Sequence, residues 1–213
     1  MRWFRPIVSC QVTDDDAVDR FGGAPRGRDV DVPACGSCGA PLAPLARLHH
    51  HAERLPLGGA GRRLTIWWCA SPAGCDTWDP EAGATAVIVE VGASRQGGTA
   101  TDHAFPETIV TEWIEGDDGV APEDLALFSS VRGFRALRDA DARAAVPGTH
   151  LGGAPFWVHS PDEAPPPPYA FALQLDPRDL WPDGSGPELH GGLAYIFLDR
   201  TVDPPAGVLI WQS

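Results

Sequence analysis

Four of the five cysteines stand in two pairs, Cys35 with Cys38 and Cys69 with Cys75, and any fold of this chain has to account for both. Cys35-Gly36-Ser37-Cys38-Gly39 has the form of a metal-binding knuckle, in which a tight turn aims two thiolates at one point. Its glycines permit the sharp backbone, and Pro33 and Pro41 bracket it. The second pair flanks Ala70-Ser71-Pro72-Ala73-Gly74, a looser loop leaving a strand that ends at Cys69. Tetrahedral zinc takes four ligands, so four thiolates leave no place for a water or substrate and imply a structural ion. Such sites contribute on the order of 10 kcal/mol to folding in small modules. Cys10 lies on an apolar stretch and reads as a small core residue. The run His49-His50-His51 is an alternative source of a ligand, but at most two alternate strand residues can converge, and solvated histidines are the preferred reading.

The chain also resembles itself. Phe21-Gly22-Gly23-Ala24-Pro25 recurs as Leu151-Gly152-Gly153-Ala154-Pro155, an offset of 151 − 21 = 130. Leu45 to Leu48 align with Ala172 to Leu175 at 127, and Leu64 to Cys69 with Leu193 to Leu198 at 129. Matches in order at nearly constant spacing predict a single domain of two repeat units: a zinc-stapled unit over 1–92, a connector and strand over 93–120, and a second unit over 121–213. Pro165 and Pro168 fall 130 positions after Cys35 and Cys38, so a stiff proline run replaces the knuckle in the second unit.

Each unit is expected to open on a helix. Thr13 with Asp14 to Asp16 supplies a cap and acidic first turn, and Gly22 ends the helix. The counterpart starts near Pro122-Glu123-Asp124 and is interrupted at Gly133 before resuming to Val146. Strands are expected over Ile7 to Val12, Leu42 to Leu48, Leu64 to Cys69, Thr85 to Val91, Thr108 to Ile114, Ala170 to Leu175, Leu193 to Leu198 and Val208 to Trp211. The expected class is therefore α+β, with two pseudo-symmetric units carrying mostly antiparallel sheets packed together. Residues 93–106 read as a flexible connection.

Acidic residues number 29 against 16 basic ones, a formal charge of −13, and every basic residue is arginine. That field repels phosphate backbones, which argues against direct nucleic-acid binding and for a basic protein or peptide as partner. The N-terminal segment lacks the apolar run of a secretory signal, and no stretch approaches the roughly 20 apolar residues of a membrane span. With an odd cysteine count, this predicts a soluble cytoplasmic protein.

Taken together, Phe-Gly-Gly-Ala-Pro, Cys-Gly-Ser-Cys-Gly-Ala-Pro-Leu, the strand ending in Cys69, Gln174-Leu175-Asp176 and Gly191 to Phe197 resemble the YwqG-like family of bacterial proteins and the eukaryotic programmed-cell-death-protein family. The resemblance covers both halves. It implies an α+β fold with internal duplication and, from the eukaryotic relatives, binding of a ribosomal protein during ribosome assembly. Some bacterial relatives sit beside secreted-toxin genes, which implies immunity. Arg47 departs from the pattern, where a glutamine equivalent to Gln174 is usual.

Known catalytic patterns are missing: there is no Gly-x-Ser-x-Gly elbow, no Gly-rich loop ending in Lys and no His-Glu-x-x-His helix. The expected function is a non-enzymatic binding module with a structural zinc, either chaperone-like for a basic client or conferring toxin immunity. Trp157, Gln174, Trp181, Tyr195 and Trp211 are its candidate partner-binding residues. The alternative is a hydrolase or RNA-processing enzyme built on Asp183 and His190, with His159 as a further candidate.

Overall fold

The computed structural model describes residues 1–11, 15, 17–25, 32–92, 105–124, 128, 130, 131, 133, 135, 146–188 and 190–213. Ten strands form one closed barrel: β1 (Arg2–Ser9), β2 (Arg20–Phe21), β3 (Ala43–His49), β4 (Arg62–Trp68), β5 (Thr85–Val91), β6 (Thr108–Asp117), β7 (His150–Gly152), β8 (Tyr169–Leu175), β9 (Leu193–Asp199) and β10 (Ala206–Gln212). Around the ring the order is β1-β6-β2-β3-β4-β5-β10-β9-β8-β7, and every pairing is antiparallel.

This overturns the α+β expectation of two packed sheets. A closed ring removes the exposed edges that two separate sheets would leave. The first expected helix is absent in its described part, because Arg20–Phe21 is strand β2, pairing with Ala46 and Arg47 of β3 and with Thr108 and Ile109 of β6. Gly22 and Gly23 do reverse the chain, at φ +66° and +77°, but they end a strand rather than a helix. Thr13, Asp14 and Asp16 lie outside the described residues. In the second expected helix, Pro122–Asp124 forms a 3-10 turn and Phe128, Val131, Gly133 and Arg135 have helical backbone; Ala136 to Arg143 lie outside the described residues. A single turn, Pro177–Leu180, capped by Asp176, is the other α-helical piece described. Most of the expected flexible connection, 93–104, is likewise outside the described residues.

The ring order is unchanged when each of β1–β5 is exchanged with its counterpart in β6–β10. The first strand of each half is traded: β1 pairs with β7, and β6 pairs with β2. Registers refine the self-alignment. Arg47 faces Thr65 and Gln174 faces Tyr195, so β4 and β9 correspond at 195 − 65 = 130 rather than at 129. The offset of 129 would match Leu64, which points into the main core, with Leu193, which points outward, and one residue of slip inverts every side chain. The register also shifts at equivalent places, between Pro44 and Ala46 in β3 and between Phe171 and Leu173 in β8.

Leu64, Ile66 and Trp68 of β4 meet Ala194, Ile196 and Leu198 of β9 in the main core. The alternate residues are buried too, Arg63, Thr65 and Trp67 in β4 and Leu193, Tyr195 and Phe197 in β9, and β9 accordingly reads as a nearly unbroken apolar run. What covers those outer faces differs between the halves. Trp67 packs under Cys35, Leu42, Cys69 and Ala84, whereas Tyr195 and Phe197 pack under Trp157. Trp157 lies 4.6 Å from the Tyr195 ring and is nearly parallel to Phe197 at 6.1 Å. One half thus staples its outer layer with cysteines and the other with stacked aromatic rings.

Candidate metal centre

The knuckle is a small hairpin held to the barrel by its own backbone. Cys35 N donates to Ala40 O at 2.8 Å and Gly39 N to Cys35 O at 2.8 Å, closing the turn. Gly36 N donates to Gly83 O at 2.9 Å, and a Cβ on Gly36 would lie 2.8 Å from Ala82 O, so glycine is what lets the hairpin dock. On the barrel side Cys69 N donates to Ala84 O at 2.8 Å, fixing the end of β4. The loop after it turns at Gly74, φ +67°, and delivers Cys75.

The four sulfurs of Cys35, Cys38, Cys69 and Cys75 lie within 4.8 Å of one another, and none is in a disulfide. Cys38 Sγ is 3.8 Å from Cys69 Sγ. A tetrahedron with metal–sulfur bonds of about 2.3 Å has sulfur–sulfur edges of about 3.8 Å, so the cluster can hold one metal ion. The Ala40 backbone N–H and the Cys75 thiol hold the Cys38 thiol down at about 6, although it is exposed. Burial pushes Cys69 up, and the hydrogen bond with Cys38 pushes Cys75 up. Cys38 is thus primed as thiolate, while Cys69 and Cys75 hold protons that a cation would displace.

The histidine run takes no part. His49 Nδ1 lies 3.1 Å from Asp19 Oδ1, His50 Nδ1 accepts from Leu57 N at 2.9 Å, and His51 Nδ1 accepts from Glu53 N at 3.3 Å. Asp19 is itself buried and also takes Arg54 Nη2 at 3.2 Å and Trp113 Nε1 at 3.0 Å. Burial alone would raise its pKa, but the His49 ring and backbone N–H, with Arg54, hold it below the usual carboxylate range. Cys10, expected in the core, is exposed.

Beside the cysteine cluster lies a cleft of about 610 Å³, lined by Trp68, Cys75, Trp78, Glu188, His190 and Trp211 among others. A second, of about 450 Å³, shares Trp78 and Trp211 and runs to His159 and Glu163. A third, of about 470 Å³, shares Glu188 and His190 and reaches Arg178 and Trp181. β5 and β10 pair through Val87 and Ile88 with Gly207 and Ala206, and among the described residues β10 has a strand on one side alone from Val208 to Gln212.

Of the expected partner-binding residues, Trp181 and Trp211 line these clefts, though both are largely buried. The other three are interior. Trp157 Nε1 donates to Phe128 O at 2.7 Å, Tyr195 OH donates to Phe156 O at 2.9 Å, and Gln174 bridges Phe156 N and Gly148 O at 2.8 Å each. Arg47, at the position equivalent to Gln174, reaches Gly22 O and Glu107 instead. Sequence reasoning missed Trp78. The signal was Asp76-Thr77-Trp78-Asp79-Pro80, a tryptophan among carboxylates and turn formers directly after the last cysteine of the cluster.

Asp183, His159 and His190 have separate partners. Asp183 Oδ1 accepts from Ser185 N at 3.0 Å, His190 Nδ1 is 3.5 Å from Glu188 Oε1, and His159 Nε2 is 2.5 Å from Ser213 O. Among the described residues, no helix is long and apolar enough to cross a membrane. Comparison with models of known protein families and with curated proteins finds no match.

Proposed function

We propose that this chain is a non-enzymatic, cytoplasmic protein- or peptide-binding module in which one structural zinc ion, held by Cys35, Cys38, Cys69 and Cys75, fixes the wall of a recognition cleft for a basic client. The observation that carries it is the junction of the two features: Cys75 belongs both to the sulfur cluster and to the lining of the largest of the three clefts described. Zinc is the ion because four thiolates at tetrahedral spacing match its preference for soft ligands, and a closed shell supplies fold stability rather than a reactive water. Reduced thiols support the cytoplasmic setting. The net charge of −13 supports a basic client.

The YwqG-like resemblance, whose implied α+β fold the closed barrel contradicts, supports this reading only through the duplication it implies. Exchange symmetry of the ring supports descent of the two halves from one duplicated unit. Assembly-type chaperoning and toxin immunity both suit a basic client, and a toxin gene beside this one would favour immunity. The enzyme reading built on Asp183 and His190 has less support, because each side chain is engaged elsewhere.

Retention of a purified mixture of basic and acidic test proteins on the immobilised chain is the test. Basic proteins should be held at low salt, released as salt rises, and held less after treatment with a strong chelator. Equal retention of acidic proteins, or RNA or ester hydrolysis abolished by Asp183→Asn or His190→Ala, would contradict the proposal.

A further inference from the structure

The clefts that share Trp78 and Trp211 have a chemistry of their own. Trp78 is 60% exposed, far more than a tryptophan needs for packing, and its ring leans on Trp211 at 5.5 Å and 36°. The charged side chains lining these two clefts are Asp76, Asp79, Glu163 and Glu188, and no arginine is among their lining residues. An indole face ringed by carboxylates attracts a cation twice, through the ring quadrupole and through charge. A neutral sugar or an anionic ligand would leave the carboxylates without a counterpart.

The backbone adds a second indication. β10 runs along the cleft floor with strand pairing on one side only from Val208 to Gln212. A strand with pairing on one side alone can take an extended peptide along its other edge.

We infer that this groove, running from Glu188 past Trp78 to Glu163, binds an extended arginine-bearing peptide, with one guanidinium laid over the Trp78 ring and countered by Asp76 and Glu188. Arginine is favoured over lysine because its planar group stacks on an indole while still donating to carboxylates. This inference rests on the binding reading above and names its site and ligand class. Since Trp78 follows Cys75 by three residues, the metal centre positions the ring that the peptide meets.

The probe is a fluorescein-labelled hexapeptide of alternating arginine and glycine, with lysine and glutamate counterparts, titrated into the metal-loaded full chain. The arginine peptide should bind best and the glutamate peptide should not bind. Trp78→Ala should weaken the arginine peptide about tenfold, in line with a desolvated cation–π contact, and Trp78→Phe should recover part of that loss. Glu188→Gln and Asp76→Asn should each cost a few-fold, less at high salt. Trp78 is exposed, so these variants should keep the unfolding midpoint of the parent. Equal binding of arginine and lysine peptides, or a Trp78→Ala variant with parental affinity, would overturn the inference while leaving a basic client elsewhere on the chain. Failure of the arginine peptide to bind overturns the inference, and if basic proteins also fail to be retained, the binding reading falls with it.

Discussion

His150 has no exposed surface, and burial pushes its pKa down to about 4 against the pull of the Gly152 carbonyl it donates to at 2.9 Å. An unfolded chain takes up this proton from about 6.5 downward while the folded one refuses it, so stability is full above that pH and falls as the pH drops toward 4. A shift of this size corresponds to about 3 kcal/mol. Urea unfolding between pH 7 and pH 4 should show the loss in the parent, and His150→Phe should flatten that pH dependence whatever it costs at neutral pH. Asp19 acts lower on the scale. Its depressed pKa means that its contribution is present above the ordinary carboxylate value of 3.8 and disappears as pH falls through the native value. Asp19→Asn leaves Arg54 and His49 facing an uncharged amide, and should cost about 3 kcal/mol at pH 7 in the same assay.

Among the elements, β9 was legible because both its faces are buried and Leu193 to Leu198 is an unbroken apolar run, and β4 because Leu64, Thr65, Ile66, Trp67 and Trp68 are mostly β-branched and aromatic. β5 was read at its observed bounds, Thr85–Val91. β2 and β7 were not legible as strands: with two and three residues they carry no period, and their identity comes from neighbours far along the chain. Yet they hold the repeated Gly-Gly motif, which could be seen but not interpreted. Gly22 needs its left-handed backbone, and a Cβ there would sit 2.3 Å from Pro106 O. Gly22→Ala should therefore destabilise the protein by at least about 2 kcal/mol, measured by thermal or urea unfolding, because both strain and a backbone clash act against it. Gly39, with the same sign of φ but open space around it, should tolerate alanine far better in that assay.

For the molecule as a whole, closure could not be read from the sequence. Eight strand segments were apparent, but whether they make two sheets or one ring depends on strands far apart in the chain meeting, as β1 meets β6 and β5 meets β10, and no local pattern encodes those pairings. The clustering of Cys35, Cys38, Cys69 and Cys75, by contrast, was legible, because thiol chemistry and spacing restrict their arrangement more tightly than strand propensity restricts topology. The groove lay between these extremes: Trp211 was picked out as an aromatic near a strand end, while Trp78 required knowledge of which loop the cysteines anchor. The central claim is that two cysteine pairs close a complete tetrathiolate shell and so fix the Cys35–Cys38 knuckle to the end of β4. X-ray absorption at the zinc edge of the purified chain tests it most directly. The account predicts one zinc per chain with four sulfurs at about 2.3 Å and no lighter neighbour. An absent metal, or a shell of fewer sulfurs completed by oxygen or nitrogen, would contradict it.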